Sequence, residues 1–159
     1  MGLDMYLKAE FYIPTYDESL PELKQNVAKP LQDLLKIVNI DVQEIIVNCG
    51  YWRKADQIHD WFVKNVQDGN DNCEKYEVSI EQLIELKSLC EKILKNRDLD
   101  FIYANLPPTS AFFFGSNDID GYYFEDLTDT IEIVNKCIEL NDANNNDVLC
   151  LSFTYRSSW

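Results

Sequence analysis

The chain of 159 residues has one histidine, His59, and five cysteines with no CxxC pair among them. A lone imidazole and the wide spacing of Cys49, Cys73, Cys90, Cys137 and Cys150 leave no ligand pattern for structural zinc. The thiols read instead as small apolar groups packed in a reduced protein, with Cys73 alone in a polar loop. No apolar stretch approaches the roughly 20 residues of a membrane span, and Met1 to Leu7 lacks the basic and apolar blocks of a signal peptide. Neither a membrane anchor nor secretion is expected, which points to the cytoplasm. GxGxxG and Walker-type phosphate loops, HExxH and GxSxG are missing, as is any nucleophile with a base nearby in sequence. The reading therefore assigns no catalytic residue, no cofactor and no metal.

Basic residues are scarce. Fourteen Lys and Arg face 28 Asp and Glu, giving a net charge of -14, so general nucleic-acid binding and attachment to anionic membranes are electrostatically disfavoured. The imbalance is uneven: 4 basic against 8 acidic side chains in residues 1–50, 8 against 11 in 51–100, and 2 against 9 in 101–159. An anionic ligand would meet the middle third most readily, and the last third could present an acidic face to a basic partner.

What is present is a hydrophobic fraction of 46%, enough for one domain over residues 1–159 with a real core. Leu3 to Ile13 alternates apolar and polar residues and predicts a half-buried strand. Leu20 to Val38 follows as a helix with Leu23, Val27, Leu31, Leu34, Leu35 and Val38 at helical spacing, which Pro30 is expected to kink or split. Val42 to Cys49 reads as a strand, with a helix leading into the next segment as the alternative and Gly50 as a break in either case, and Tyr51 to Val66 as a helix with one broad apolar face. Ser79 and Gln82 form a capping box that opens a helix to about Lys95, and Tyr123 to Leu140 is another helix. Val148 to Arg156 alternates again and can pair with the first strand. The sum is an α+β fold, four or five helices on a small antiparallel sheet that includes both terminal strands.

Three segments could carry binding. Tyr51 to Phe62 concentrates Trp52, Trp61, Arg53, Lys54 and His59, the rings and cations that a nucleotide pocket uses; the plainer reading is an amphipathic core helix with a buried imidazole. Leu106 to Ser116 reads as a loop and a short aromatic strand, Phe112 to Phe114, with the amides of Gly115 and Ser116 beside it; it is either a pocket wall or a buried edge. The ending Phe153 to Trp159 finishes in an indole, which is expected to dock on the protein, a second subunit or a ligand. Asp118, Asp120, Glu125, Asp126 and Asp129 are oxygen ligands by type, but acidic residues at a helix start are expected from its dipole.

The opening Met1 to Leu7, the block Tyr51 to Ala55 with Ile58, His59 and Trp61 to Val63, the stretch Phe112 to Ser116 and the ending Tyr155 with Ser157 to Trp159 resemble a family of small, uncharacterised bacteriophage and prophage proteins. The resemblance carries no catalytic residues. It implies an accessory protein acting against host defence inside the bacterial cell, by sequestering a nucleotide signal, blocking a protein or imitating DNA. The leading expectation is a homo-oligomeric, non-catalytic sponge for a small nucleotide-derived ligand. Its candidate contacts are Tyr51, Trp52, Arg53, Lys54, His59, Trp61, Phe113, Phe114, Ser116, Tyr155, Arg156 and Trp159. The alternatives are an acidic inhibitor or DNA mimic bound to a host defence protein, and a small hydrolase using His59 as acid or base.

Overall fold

The computed structural model describes residues 2–13, 21–36, 38, 40–109, 118–144 and 149–159. Four strands, β1 (Asp4–Tyr12), β2 (Glu44–Arg53), β3 (Tyr76–Val78) and β4 (Cys150–Ser158), form one antiparallel sheet in the order β2-β1-β4-β3. Among the described residues five helices accompany them: α1 (Pro21–Leu35), α2 (Asp56–Asn65), α3 (Ile80–Asn96), α4 (Leu99–Asn105) and α5 (Gly121–Ala143). The architecture is the expected α+β one. The two terminal strands lie side by side at its centre, with Tyr6 opposite Arg156 and Lys8 opposite Thr154.

Alternation sorts the two faces of the sheet. Leu3, Met5, Leu7 and Ala9 of the first strand region are fully buried and join Trp52, Phe153 and Tyr155 in one apolar cluster. Helices α2, α3, α4 and α5 add to that cluster through Ile58, Phe62, Leu83, Leu86, Ile102, Leu127 and Val134. The same alternation turns Tyr6, Lys8 and Glu10 toward the other face, together with Thr154 and Arg156 across the register. The predicted capping box is formed: Ser79 Oγ accepts from Gln82 N at 3.1 Å, and Gln82 Oε1 accepts from Ser79 N at 2.9 Å.

Two expectations are corrected. The strand read as ending before Gly50 continues to Arg53, and the helix expected from Tyr51 begins at Asp56. Residues 51 to 55 satisfy helical spacing, but pairing of Tyr51, Trp52 and Arg53 with Tyr6, Met5 and Asp4 satisfies their backbone in the sheet. A bulge at Cys49 lets the strand pass this point, and Gly50 lets α5 come close: a Cβ there would lie 2.7 Å from Cδ1 of Ile133. The second correction concerns the helix expected over Leu20 to Val38: α1 ends at Leu35, and Leu31, Leu34, Leu35 and Val38, set at helical spacing, are exposed. A helical stripe specifies an apolar face without specifying what covers it. The short β3 and α4 were not foreseen, and the expected strand Phe112 to Phe114 lies outside the described residues.

Candidate functional site

The open face of the sheet holds a cavity of about 350 Å³ lined by Tyr6, Lys8, Glu10, Lys75, Thr154, Arg156 and Ser158. Its floor is built by register: Tyr6 and Lys8 of β1 stand opposite Arg156 and Thr154 of β4. Its size falls within the roughly 300–1,000 Å³ range of small-molecule sites. Three cations and one carboxylate line it, a local excess of positive charge in a chain of net charge -14.

Each wall has a visible support. Glu10 takes Lys75 Nζ on both oxygens, at 3.1 and 3.0 Å, and also accepts from Thr154 Oγ1 at 2.9 Å. Glu10 is therefore spent on holding Lys75 over the sheet. Arg156 donates from Nε to the carbonyl of Cys73 at 3.1 Å, which fixes the guanidinium plane. Lys8 and Arg156 form no ion pair among the described residues. Beside the cavity the rings of Tyr6 and Tyr51 are 5.4 Å apart at 47°, and Tyr51 donates its phenol proton to Asp4. That hydrogen bond holds the proton on and pushes the Tyr51 phenol above its ordinary value.

The sequence-predicted residues divide into three groups. Arg156 lines the cavity, Tyr51 and Arg53 are exposed on the same side of the sheet through their partners Tyr6 and Asp4, and Lys54 is exposed beyond the end of β2. Trp52, His59, Trp61 and Tyr155 are buried. Trp52 Nε1 donates to Thr130 Oγ1 at 2.9 Å, and Tyr155 stacks on Phe62 with centroids 3.9 Å apart. Phe113, Phe114 and Ser116 lie outside the described residues.

His59, 6% exposed, stands between the buried Tyr155 hydroxyl and the exposed Asp71 of the 67–75 loop. Its Nδ1 is 2.7 Å from Tyr155 Oη and its Nε2 is 3.2 Å from Asp71 Oδ2. The other Asp71 oxygen accepts the indole N–H of Trp159 at 3.1 Å. Trp159 is thus docked on its own chain while remaining 49% exposed. These contacts tie α2, the 67–75 loop and the end of β4 together, and so support the loop that carries Cys73 and Lys75.

A second buried polar group lies at the start of α2. Asp56 Oδ2 accepts from Thr109 N at 3.0 Å, and Gln57 donates to Asp126 Oδ2 at 2.9 Å. Burial pushes both carboxyls up, that of Asp126 to about 6. Among the described residues no group of three or more His, Cys, Asp or Glu is placed to hold a metal ion.

Sequence reasoning missed Tyr6, Lys8, Glu10 and Lys75. The available signal was the polar half of the β1 alternation, which reads as a solvated face until β4 is set beside it. The chain matches no protein-family model, no curated protein and no solved structure.

Proposed function

We propose that the protein is a non-catalytic binding protein that captures a small nucleotide-derived ligand on the open face of its sheet. The observation that carries the reading is the convergence of Lys8, Lys75 and Arg156 with the Tyr6 ring around one cavity, against a net charge of -14. In such a chain long-range potential repels anions, so an anion site needs cations crowded locally. Lys8 and Arg156 would pair with phosphate oxygens, and the Tyr6 ring, with Tyr51 behind it, would take the base. The resemblance to phage and prophage proteins adds the setting: sequestration of a nucleotide signal of bacterial defence. His59 is left out of ligand contact, because its ring is buried outside the cavity, with Nδ1 against the buried Tyr155 hydroxyl and Nε2 beside Asp71.

Thermal denaturation with a panel of cyclic dinucleotides and ADP-ribose-type nucleotides tests this reading. At least one member is expected to raise the melting temperature and to be recovered chemically intact after heat release. No shift with any member, or recovery of a converted product, overturns it.

A second reading is favoured by one observation on α5, where Glu125, Asp129, Glu132 and Glu139 are exposed at helical spacing with Lys136 as the only cation among them. Such a row fits an acidic protein docking on a basic surface of a host protein. Salt-sensitive capture of one host protein, lost when Asp129 and Glu132 are changed to Lys, would support it over ligand capture.

A further inference from the structure

Among the described residues strand β2 is the long edge of the sheet: it has ten residues, whereas β3 at the opposite edge has three. Unpaired edges are templates for another strand, and proteins commonly blunt them with Pro, Lys, bulges or brevity. β2 contains neither Pro nor Lys. Its two exposed large apolar side chains are Ile46 and Tyr51, 53% and 46% exposed.

The charged residues sit at the two ends, Glu44 at the start and Arg53 at the finish. An odd separation in sequence would place them on opposite faces of a regular strand. The bulge at Cys49 adds one residue and cancels that alternation, so Glu44 pairs with Tyr12 and Arg53 with Asp4, two residues on the same face of β1. Ile46 and Tyr51 come to the same face through their partners Glu10 and Tyr6. Arg53 has no ion pair among the described residues.

We propose that β2 pairs antiparallel with β2 of a second copy of this chain about a two-fold axis between Asn48 and Cys49. In that register Glu44 lies opposite Arg53 of the second copy and Ile46 opposite Tyr51 of the second copy, and each pair occurs twice. The edge is self-complementary in both charge and apolar surface, as an isologous interface requires. The result is one eight-stranded sheet with both cation-lined cavities on the same side. The inference is tested independently of ligand capture, because Glu44, Ile46 and Arg53, the residues that its variants change, do not line the cavity.

Sedimentation equilibrium of the full chain and of charge variants tests the interface. The native chain is expected to be a dimer. Arg53→Glu sets like charges opposite each other twice and is expected to weaken association by roughly tenfold or more. The exchange Glu44→Arg with Arg53→Glu is expected to restore the dimer, and Ile46→Lys, on the same edge, is expected to be monomeric. Circular dichroism identifies any variant that fails to fold, and the remaining variants then decide. A monomeric native chain, a dimer undisturbed by both Arg53→Glu and Ile46→Lys, or a folded double variant that stays monomeric overturns the inference.

Discussion

Arg156 donates from Nε to the backbone carbonyl of Cys73 at 3.1 Å, joining the cation of β4 to the loop that precedes β3. Cys73 itself has a φ of 58°, a left-handed conformation uncommon outside glycine. The loop thus holds an unfavourable backbone angle where its carbonyl meets Arg156. Arg156→Ala is expected to lower affinity for a phosphate-bearing ligand by about 10–100-fold while leaving the melting temperature nearly unchanged, since the side chain is exposed. Titration calorimetry of both proteins checks it, and equal affinities would remove Arg156 from the site.

The contact between His59 and Tyr155 carries a stability prediction. Tyr155→Phe removes the hydroxyl 2.7 Å from His59 Nδ1 and leaves a buried ring nitrogen without its partner. A loss of about 1–3 kcal/mol is expected, read from the urea midpoint at unchanged slope.

Asp126 makes stability depend on pH. Burial raises its carboxyl from 3.8 to about 6, so the folded protein holds this proton more tightly than the unfolded chain. Stability from this group is full below the unfolded value and is lost as pH rises through about 6, and the upward shift of Asp56 acts in the same direction. Asp126→Asn keeps an acceptor for Gln57 and removes the charge. It is expected to be more stable than the native chain by ~1 kcal/mol at neutral pH, a figure discounted for solvent access, and to lose that advantage at about pH 4. Melting curves at the two pH values check both the sign and the window.

Gly50 tests the close approach of α5 to the bulged strand. Gly50→Ala puts a methyl against Ile133, at 2.7 Å from Cδ1, where packing has no slack. A cost of about 1–3 kcal/mol is expected. Adding Ile133→Ala is expected to recover part of it, and strict additivity of the two losses would argue against the contact.

The fold was largely legible because period and punctuation agree over long segments. Alternation in residues 3–13 and 149–156 gave two strands and their pairing, and Ser79 with Gln82 marked a helix start. The region after Gly50 was misread because Tyr51 to Ala55 fits both periods, and only the ladder with β1 decides between them. The site was less legible for the same physical reason. Tyr6 and Lys8 are far in sequence from Lys75 and Arg156; strand register sets Arg156 opposite Tyr6, and Glu10 holds Lys75 over the sheet. Trp52 and Trp61 drew attention by residue type, yet large rings bury the most apolar area and are the first to be taken into a core.

Mapping backbone amide shifts of the isotope-labelled chain during titration with a cyclic dinucleotide and with ADP-ribose tests ligand capture most directly. Changes confined to Tyr6, Lys8, Glu10, Lys75 and Thr154 to Ser158, abolished by changing Lys8 and Arg156 together to Ala, are the expected result. Saturable changes centred on Trp61 and His59 instead, or no changes with either nucleotide, would contradict capture on the open face of the sheet.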